Sequence, residues 1–387
     1  MTIPYLFSPL KTPAGFPQKM HSSSVVIHLD RLKANYRLMV EKFPGFALAP
    51  VIKADAYGHG ILPCARALEE CGSPYMSVFT VDEAALLREN GIRTRLFLLG
   101  GALFPQECEA AVHLDNVAIC AWNREEIREL SRCAAEAGRV VDLHLKVDSG
   151  MSRLGFFPEE CPEVIEWIQG LPGVRLTGAF SHFASADCPE KDYTARQEAA
   201  FRKAIATLPA DARELHLSAT PGMLAARGQE YPIARPGFTL YGYGNDPRTP
   251  GVVFQPVMEF SSQLISLKEI PVGAEISYGG IYRVEGAPQR VAVVPVGYAD
   301  GYPRALGNCG YVLVRGHRAP IRGRVCMGMF MVDVTGIPDA AVGDPVVLLG
   351  SQGGESIWAD ELAAKVKTIP YEVLCLLGRH PSRSWQA

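Results

Sequence analysis

The chain reads as an α/β protein, a (β/α)8 barrel followed by a small C-terminal β-domain. Three observations predict this. From about residue 47 to 240, short β-type runs alternate with helical patterns, as parallel strands joined by helices do. Beyond Asn245-Asp246-Pro247-Arg248-Thr249-Pro250-Gly251, a linker or long turn, the pattern changes to short β-type runs separated by Gly and Pro. The length, 387 residues, is too great for one small core and suits two domains. The expected boundaries are an N-terminal tail at 1–23, the barrel at 24–244 and the β-domain at 252–387.

The barrel strands are expected at Leu48–Ile52, Tyr75–Phe79, Leu96–Leu99, Val117–Cys120, Val140–Val147, Leu176–Ser181, Glu214–Ser218 and Pro232–Thr239. The last is weak, because Pro236 and Gly237 interrupt it. Helices between them include Val81–Glu89, Arg124–Ala137, Cys161–Ile168 and Thr194–Thr207. Thr80 with Glu83 three residues on forms a capping box, and Asn123 makes a similar start before Arg124. An open doubly wound sheet is the architectural alternative. No GxGxxG follows any of these strands, which weakens its dinucleotide-binding version. In the β-domain, strands are expected at Ser261–Ile270, Arg290–Val296, Tyr311–Arg315, Met329–Val334 and Pro345–Leu349, with one short helix near Asp360–Lys367. One further apolar run, Ser24–Leu29, precedes the barrel units.

Composition narrows the function. Hydrophobic content of 48% with 20% charged residues describes an ordinary globular protein. A net charge of −3 gives no basic footprint for nucleic acid or membrane. No run of eighteen or more apolar residues suggests a membrane span, and Met1–Met20 lacks the apolar core of a signal peptide. Ten cysteines without a CxxC pair favour reduced thiols and a cytoplasmic location.

The chemistry is expected at the C-terminal ends of the barrel strands. Lys53 follows the first strand in Val51-Ile52-Lys53-Ala54-Asp55-Ala56-Tyr57-Gly58-His59-Gly60, ahead of a turn rich in Gly and small residues and then a helix. Burying an ammonium there is costly unless it is paired or neutralised. A lysine so placed can offer its amine to a carbonyl cofactor, with Tyr57 able to reach that cofactor's phosphate. Taken alone, the local sequence reads as a surface lysine at a strand end. In the fifth strand Leu143, Leu145 and Val147 form one face, so Asp142, His144, Lys146 and Asp148 point into the barrel. These could be catalytic or a space-filling ion pair. Arg153, His182, Thr220 and Arg235-Pro236-Gly237 also fall at strand ends.

The lysine run resembles the pyridoxal-phosphate lysine motif of alanine racemases, and the resemblance continues through nearly the whole chain after about residue 24. It is carried by Leu145-Lys146-Val147-Asp148-Ser149-Gly150-Met151-Ser152-Arg153, Ser181-His182-Phe183-Ala184, Arg235-Pro236-Gly237-Phe238 and Ile276-Ser277-Tyr278-Gly279. Val296-Gly297-Tyr298-Ala299-Asp300-Gly301-Tyr302, Gly323-Arg324-Val325-Cys326-Met327 and Ile369-Pro370-Tyr371-Glu372 complete it. It implies a TIM-like barrel whose preceding strand, 24–29, joins the β-domain. It implies pyridoxal 5'-phosphate bound covalently to Lys53, and racemisation of alanine by Lys53 on one face and Tyr278 on the other. Tyr57, Thr220, Gly237, Phe238 and Tyr371 would hold the phosphate. Arg153 would touch the phenolic oxygen beside a carbamylated Lys146, and Arg235 would face the ring nitrogen with His182 behind it. Arg153 and the Met327 backbone would bind the substrate carboxylate. Because an arginine does not give up its proton readily, the ring nitrogen would stay unprotonated, weakening the electron sink and suppressing transamination. The family's sites are shared across a homodimer that supplies D-alanine, as for peptidoglycan.

The chain departs from the family in two places. Ala219-Thr220 stands where Asn-Ser is usual, and Gly328 where an aspartate is usual. The second suggests a broader racemase that also accepts serine. Tyr278 in isolation could be a sheet-packing aromatic, and His182 a satisfied core histidine. Rival activities are a non-catalytic cofactor carrier, a decarboxylase of related fold, and a metal-dependent eliminase using Cys375 and His380.

Overall fold

The structure is a computed structural model that describes residues 23–186, 188, 192–244, 249 and 251–387. Nearly all of the expected tail and most of the 245–251 linker lie outside the described residues. The chain divides into two compact units, residues 29–257 and residues 23–28 with 258–387.

The first unit is an eight-stranded parallel barrel. Its strands are Ala47–Leu48, Tyr75–Val78, Arg95–Leu98, Val117–Ala121, Val141–Lys146, Val174–Phe180, Glu214–Ala219 and Ile233–Arg235. The first pairs with the eighth, and the ladder then runs back through the seventh to the second. A parallel bridge from Val51 to Ser77 links the first segment to the second strand and brings the sheet round on itself. The first strand is shorter than expected because Pro50 has no N–H to give a ladder. Its neighbours still bond, Ala49 N–H to Ala234 at 2.8 Å and Ile52 N–H to Ser77 at 2.9 Å.

The eighth strand also stops early, at Arg235, and Phe238–Tyr241 forms a 3₁₀ turn instead of its continuation. Helices pack between the strands. Val81–Glu89 carries the full capping box of Thr80 and Glu83, and Asn123 accepts the Glu126 N–H at the start of Arg124–Glu136. The run Ser24–Leu29 is a strand only to His28. Leu29 begins a helix reaching Lys42, which buries Leu32, Tyr36 and Met39.

The second unit is built on a ten-stranded sheet. Ser23–His28 lies within it, antiparallel to Met258–Gln263 and parallel to Arg383–Gln386. The expected strand Ser261–Ile270 is two strands. Met258–Gln263 pairs with Pro345–Gln352, and Ser266–Ile270 pairs with Gln289–Val294. Two helices are present where one was expected, Ala359–Val366 and Pro370–Leu377. Pro370 reads as a breaker in sequence, yet a proline in the first helical turn is favoured because its missing N–H would be unbonded there. No helix among the described residues is long and apolar enough to cross a membrane.

Candidate active site

Lys53 opens a helical turn, Lys53–Tyr57, whose hand is inverted. φ is +52° at Ala54, +54° at Asp55, and +55° at both Ala56 and Tyr57. A left-handed residue with a Cβ costs about 1–2 kcal/mol, so four in succession need holding from outside. Several contacts hold them. The Asp55 carboxylate accepts the Ile61 N–H at 2.8 Å, and the Glu83 carboxylate accepts the Ala54 N–H at 2.6 Å. The Tyr57 and His59 rings pack on fully buried Tyr241, at 5.0 and 4.4 Å between centroids. The Lys53 Nζ stands 5.3 Å from the centre of the Phe79 ring.

The turn aims Tyr57 at Gly237. A Cβ on Gly237 would stand 2.8 Å from the Tyr57 hydroxyl and shift it, so the close approach favours glycine there. The Thr220 hydroxyl accepts the Gly237 N–H at 3.2 Å and lies 3.2 Å from that of Thr239. Two hydroxyls and a bare backbone thus gather into a cradle of the kind that binds oxyanions. Phe238 stacks on Tyr243 at 5.4 Å beside it.

Charge at the rim is strongly positive. Lys146 is buried, donates to its neighbour's carbonyl, Val147 O, at 2.9 Å and lies over the Phe180 ring. Burial pulls its amine down to about 8, and Arg235 and Arg153 push the same way. His182 is pushed down to about 3, first by burial and then by Arg235, Lys146, Arg153 and Lys53. That single imidazole feels all four cations, which brings the expected residues of the first, fifth, sixth and eighth strand ends to one rim. The His182 Nδ1 is 3.4 Å from the Arg235 guanidinium. Such a rim fits an anionic cofactor, and a neutral imidazole beside an arginine fits a proton-holding role. Asp148, expected to point inward, turns its carboxylate to the following loop, accepting from Gly150 and Ser152 N–H at 3.0 and 2.9 Å.

Beneath the rim runs a chain of hydrogen bonds that sequence reasoning missed. Arg235 donates to His216 Nδ1 at 2.7 Å, His216 Nε2 to His144 Nδ1 at 2.8 Å, and His144 Nε2 to Glu214 at 2.9 Å. Arg95 grips the same Glu214 carboxylate through two N–H groups. The direction of donation assigns both imidazoles as neutral. Burial, their largest influence, agrees by lowering both. Burial alone would raise Glu214, but its bonds to His144 and Arg95 outweigh this and hold it down at about 2. Phe97 and Phe180 sandwich the His216 ring at 4.8 and 4.7 Å. A sequence signal existed, for Glu214, His216 and Ser218 alternate with Leu215 and Leu217 as the fifth strand does.

In the second unit, Tyr278 sits in the turn of a two-stranded hairpin, Glu275–Ile276 with Tyr282–Arg283, and is 74% exposed. Exposure on a turn excludes the sheet-packing reading. Arg324 donates to Tyr278 O at 3.1 Å, and the Ser277 hydroxyl donates to Arg324 O at 3.0 Å. An apolar groove of about 640 Å3 surrounds the tyrosine, lined among others by Cys326, Met327, Gly328 and Met329. Tyr371 occupies the first turn of Pro370–Leu377. His380, weighed as a metal ligand, instead bonds Ser23 Oγ at 3.0 Å and accepts the Ser382 N–H.

Comparison with known proteins agrees along the length of the chain. The alanine racemase N-terminal domain family matches residues 27–245 and the C-terminal domain family matches 257–385. The alanine racemase of Syntrophobacter fumaroxidans is 40% identical over 95% of this chain and 98% of its own. The crystal structure of alanine racemase from E. faecalis superposes with a TM-score of 0.87 at 30% identity, covering 95% of this chain and 99% of that one. That of Bartonella henselae, with covalently bound pyridoxal phosphate, gives 0.84 at 26% identity over 95% and 100%. With both family domains matched in order on a barrel and a strand-rich second unit, the chain belongs to the alanine racemase family.

Proposed function

We propose that the chain interconverts L- and D-alanine with pyridoxal 5'-phosphate carried on Lys53. The observation that carries this reading is the rim itself, where a lysine at a strand end shares one histidine's surroundings with three other cations and adjoins the Tyr57–Thr220–Gly237 cradle. When bound, the cofactor supplies the electron sink that makes the substrate's α-hydrogen acidic. With the cofactor in place, the Lys53 amine would take or return a proton on one face of the substrate's α-carbon. Tyr278 serves the other face. Tyr57, Thr220, Gly237 and Phe238 hold the phosphate, and the family pattern adds Tyr371. Arg235, fixed by the His216–His144–Glu214 chain and by the Ser181 carbonyl at 2.7 Å, would offer its guanidinium as a donor to the ring nitrogen. Arg153 and the Met327 backbone receive the substrate carboxylate.

Lys146 suits carbamylation. An amine near 8 is partly unprotonated at neutral pH, and the free amine adds to carbon dioxide with loss of one proton. The resulting anion replaces a cation that Arg235 and Arg153 both repel, so a like-charge repulsion becomes an attraction.

A second copy of the chain completes the site. Tyr278, Met327 and Met329 are 74%, 63% and 47% exposed around an apolar groove, and such a patch on a soluble protein marks an interface. We assign the enzyme to the cytoplasm, supplying D-alanine for cell-wall peptidoglycan. One observation favours a broader range. A Cβ at Gly328 would meet nothing within 4 Å, which leaves space beside the carboxylate-binding segment for a substrate such as serine.

Chiral analysis of alanine and serine incubations, with and without added cofactor, tests the reading. Production of the mirror-image amino acid supports it. Carbon dioxide, or pyruvate with ammonia, sinks it. In deuterated solvent, Tyr278→Phe should slow α-proton exchange from one enantiomer far more than from the other.

A further inference from the structure

We infer that Glu83 is a positioning residue for Lys53, strapping the inverted turn that carries the lysine to the end of the second barrel strand. The inference rests on Lys53 being the cofactor lysine.

In a capping box, the glutamate at the third helical position ordinarily reaches back to the backbone N–H of the cap residue. Glu83 does this for Thr80 at 3.3 Å, and the same oxygen accepts from Phe79 N–H at 2.8 Å. Its other oxygen is diverted out of the helix to a different segment, where it accepts from Ala54 N–H at 2.6 Å. That bond exceeds what a cap requires.

Its location gives it a purpose. Ala54 is the first of the four left-handed residues, and Asp55 fastens the turn to Ile61 at the other end. The turn still closes by backbone bonds four residues apart, Ala56 N–H to Ile52 at 2.9 Å and Gly58 N–H to Ala54 at 3.1 Å. Residues four apart in a helical turn emerge on one side, so Lys53 and Tyr57 present amine and phenol together. Without an acceptor at Ala54, the run loses a tie holding it against its preference for the right-handed form. The amine and the phenol then turn away together. The same carboxylate also binds the Phe79 amide, and the Phe79 ring lies under the Lys53 Nζ. One side chain thus sets the distance between the lysine and the ring that packs on it.

The test separates strap from cap. Thr80→Ala removes the hydroxyl that accepts Glu83 N–H at 3.2 Å and leaves the bond to Ala54 in place. Glu83→Ala removes every bond the carboxylate makes. Ala54→Gly relieves the left-handed strain at the strapped position itself, the first of the four, without the strap. The readouts are cofactor affinity, from the borohydride-fixed pyridoxyl label at Lys53 across a cofactor titration, deuterium exchange from each enantiomer, and the thermal midpoint.

Glu83→Ala should weaken cofactor retention and Lys53-face exchange by roughly 10- to 100-fold, as small misplacements of reacting groups do. Exchange on the opposite face should suffer less. Thr80→Ala should lower the midpoint with both other readouts unchanged, and Ala54→Gly in the Glu83→Ala background should restore most of the loss. If Glu83→Ala does not fold, Glu83→Gln takes its place, since it turns one acceptor into a donor facing the amides. A Glu83 variant that behaves like Thr80→Ala, or that Ala54→Gly fails to rescue, overturns the inference while leaving the cofactor reading intact. A wild-type label away from Lys53 overturns both.

Discussion

The barrel unit and the β-unit hold their candidate catalytic residues in opposite ways. In the barrel, Arg235 is 3% exposed and Lys146 5%, and Arg235 ends a chain of hydrogen bonds anchored at Arg95. In the β-unit, Tyr278 and Met327 stand mostly in the open on short turns. The first arrangement is finished, because the neutral His216 ring, sandwiched by Phe97 and Phe180, holds Arg235 from below. The second is open. A phenol 74% exposed has none of the exclusion of water that proton transfer at carbon needs. A complete site would result from covering the open half with another copy, and the comparison can be tested from both sides.

The largest effect should come from the finished half. Lys53→Ala should abolish racemisation, by about 10^4-fold or more, and leave no pyridoxyl label after borohydride. Appreciable residual turnover would remove the lysine from its role. Next, a charge in the open half should separate the copies. Met329→Glu places a carboxylate on the exposed apolar patch, and sedimentation should show monomers with activity down by roughly 100-fold. Lys53 should still take the label, since the barrel is untouched. A fully active monomer would show that the patch serves something other than a second copy.

A smaller effect should follow in the relay. Glu214→Gln keeps an acceptor for His144 and removes the charge, so catalysis should fall roughly 10-fold as Arg235 loses its distant counter-charge. Its pH signature is specific. The folded carboxyl is held at about 2, below the ordinary value, so it binds fewer protons folded than unfolded between the two. Its contribution to stability is therefore complete above about 4.3 and lost as pH falls through about 2. Acid unfolding of the wild type and the variant should converge in that window. The smallest effect belongs to Gly328→Asp, which has open space to fill. It should shift the ratio of kcat/KM for alanine over serine by less than about 10-fold. An unchanged ratio would mean that only backbone matters at this position.

Much of the site was legible because it sits where strands end. Lys53, Lys146, His182, Thr220 and Arg235 each follow or close a β-type run, and alternation in 142–148 revealed that His144 and Lys146 face inward. Lengths were harder. Pro50 truncated the first strand, and Pro370 opened a second helix beyond the one expected near Asp360–Lys367. Asp148 looked like the next inward residue, but the strand ends at Lys146, and beyond that point alternation no longer governs direction.

What the sequence alone determined was periodic and local. The alternation of strands and helices, the capping box at Thr80, the change of pattern after residue 251 and the identities of the reactive side chains are all set by neighbours within a few positions. The tertiary structure decided the rest. The inverted hand of 54–57 is disfavoured by each residue's own backbone, and among the contacts on it is the bond from Ala54 to Glu83, 29 positions away. Arg95 and Glu214, 119 positions apart, meet because a barrel folds strands three and seven onto one axis. Long-range hydrogen bonds can overrule a local preference, and no local pattern in the chain records which groups will make them.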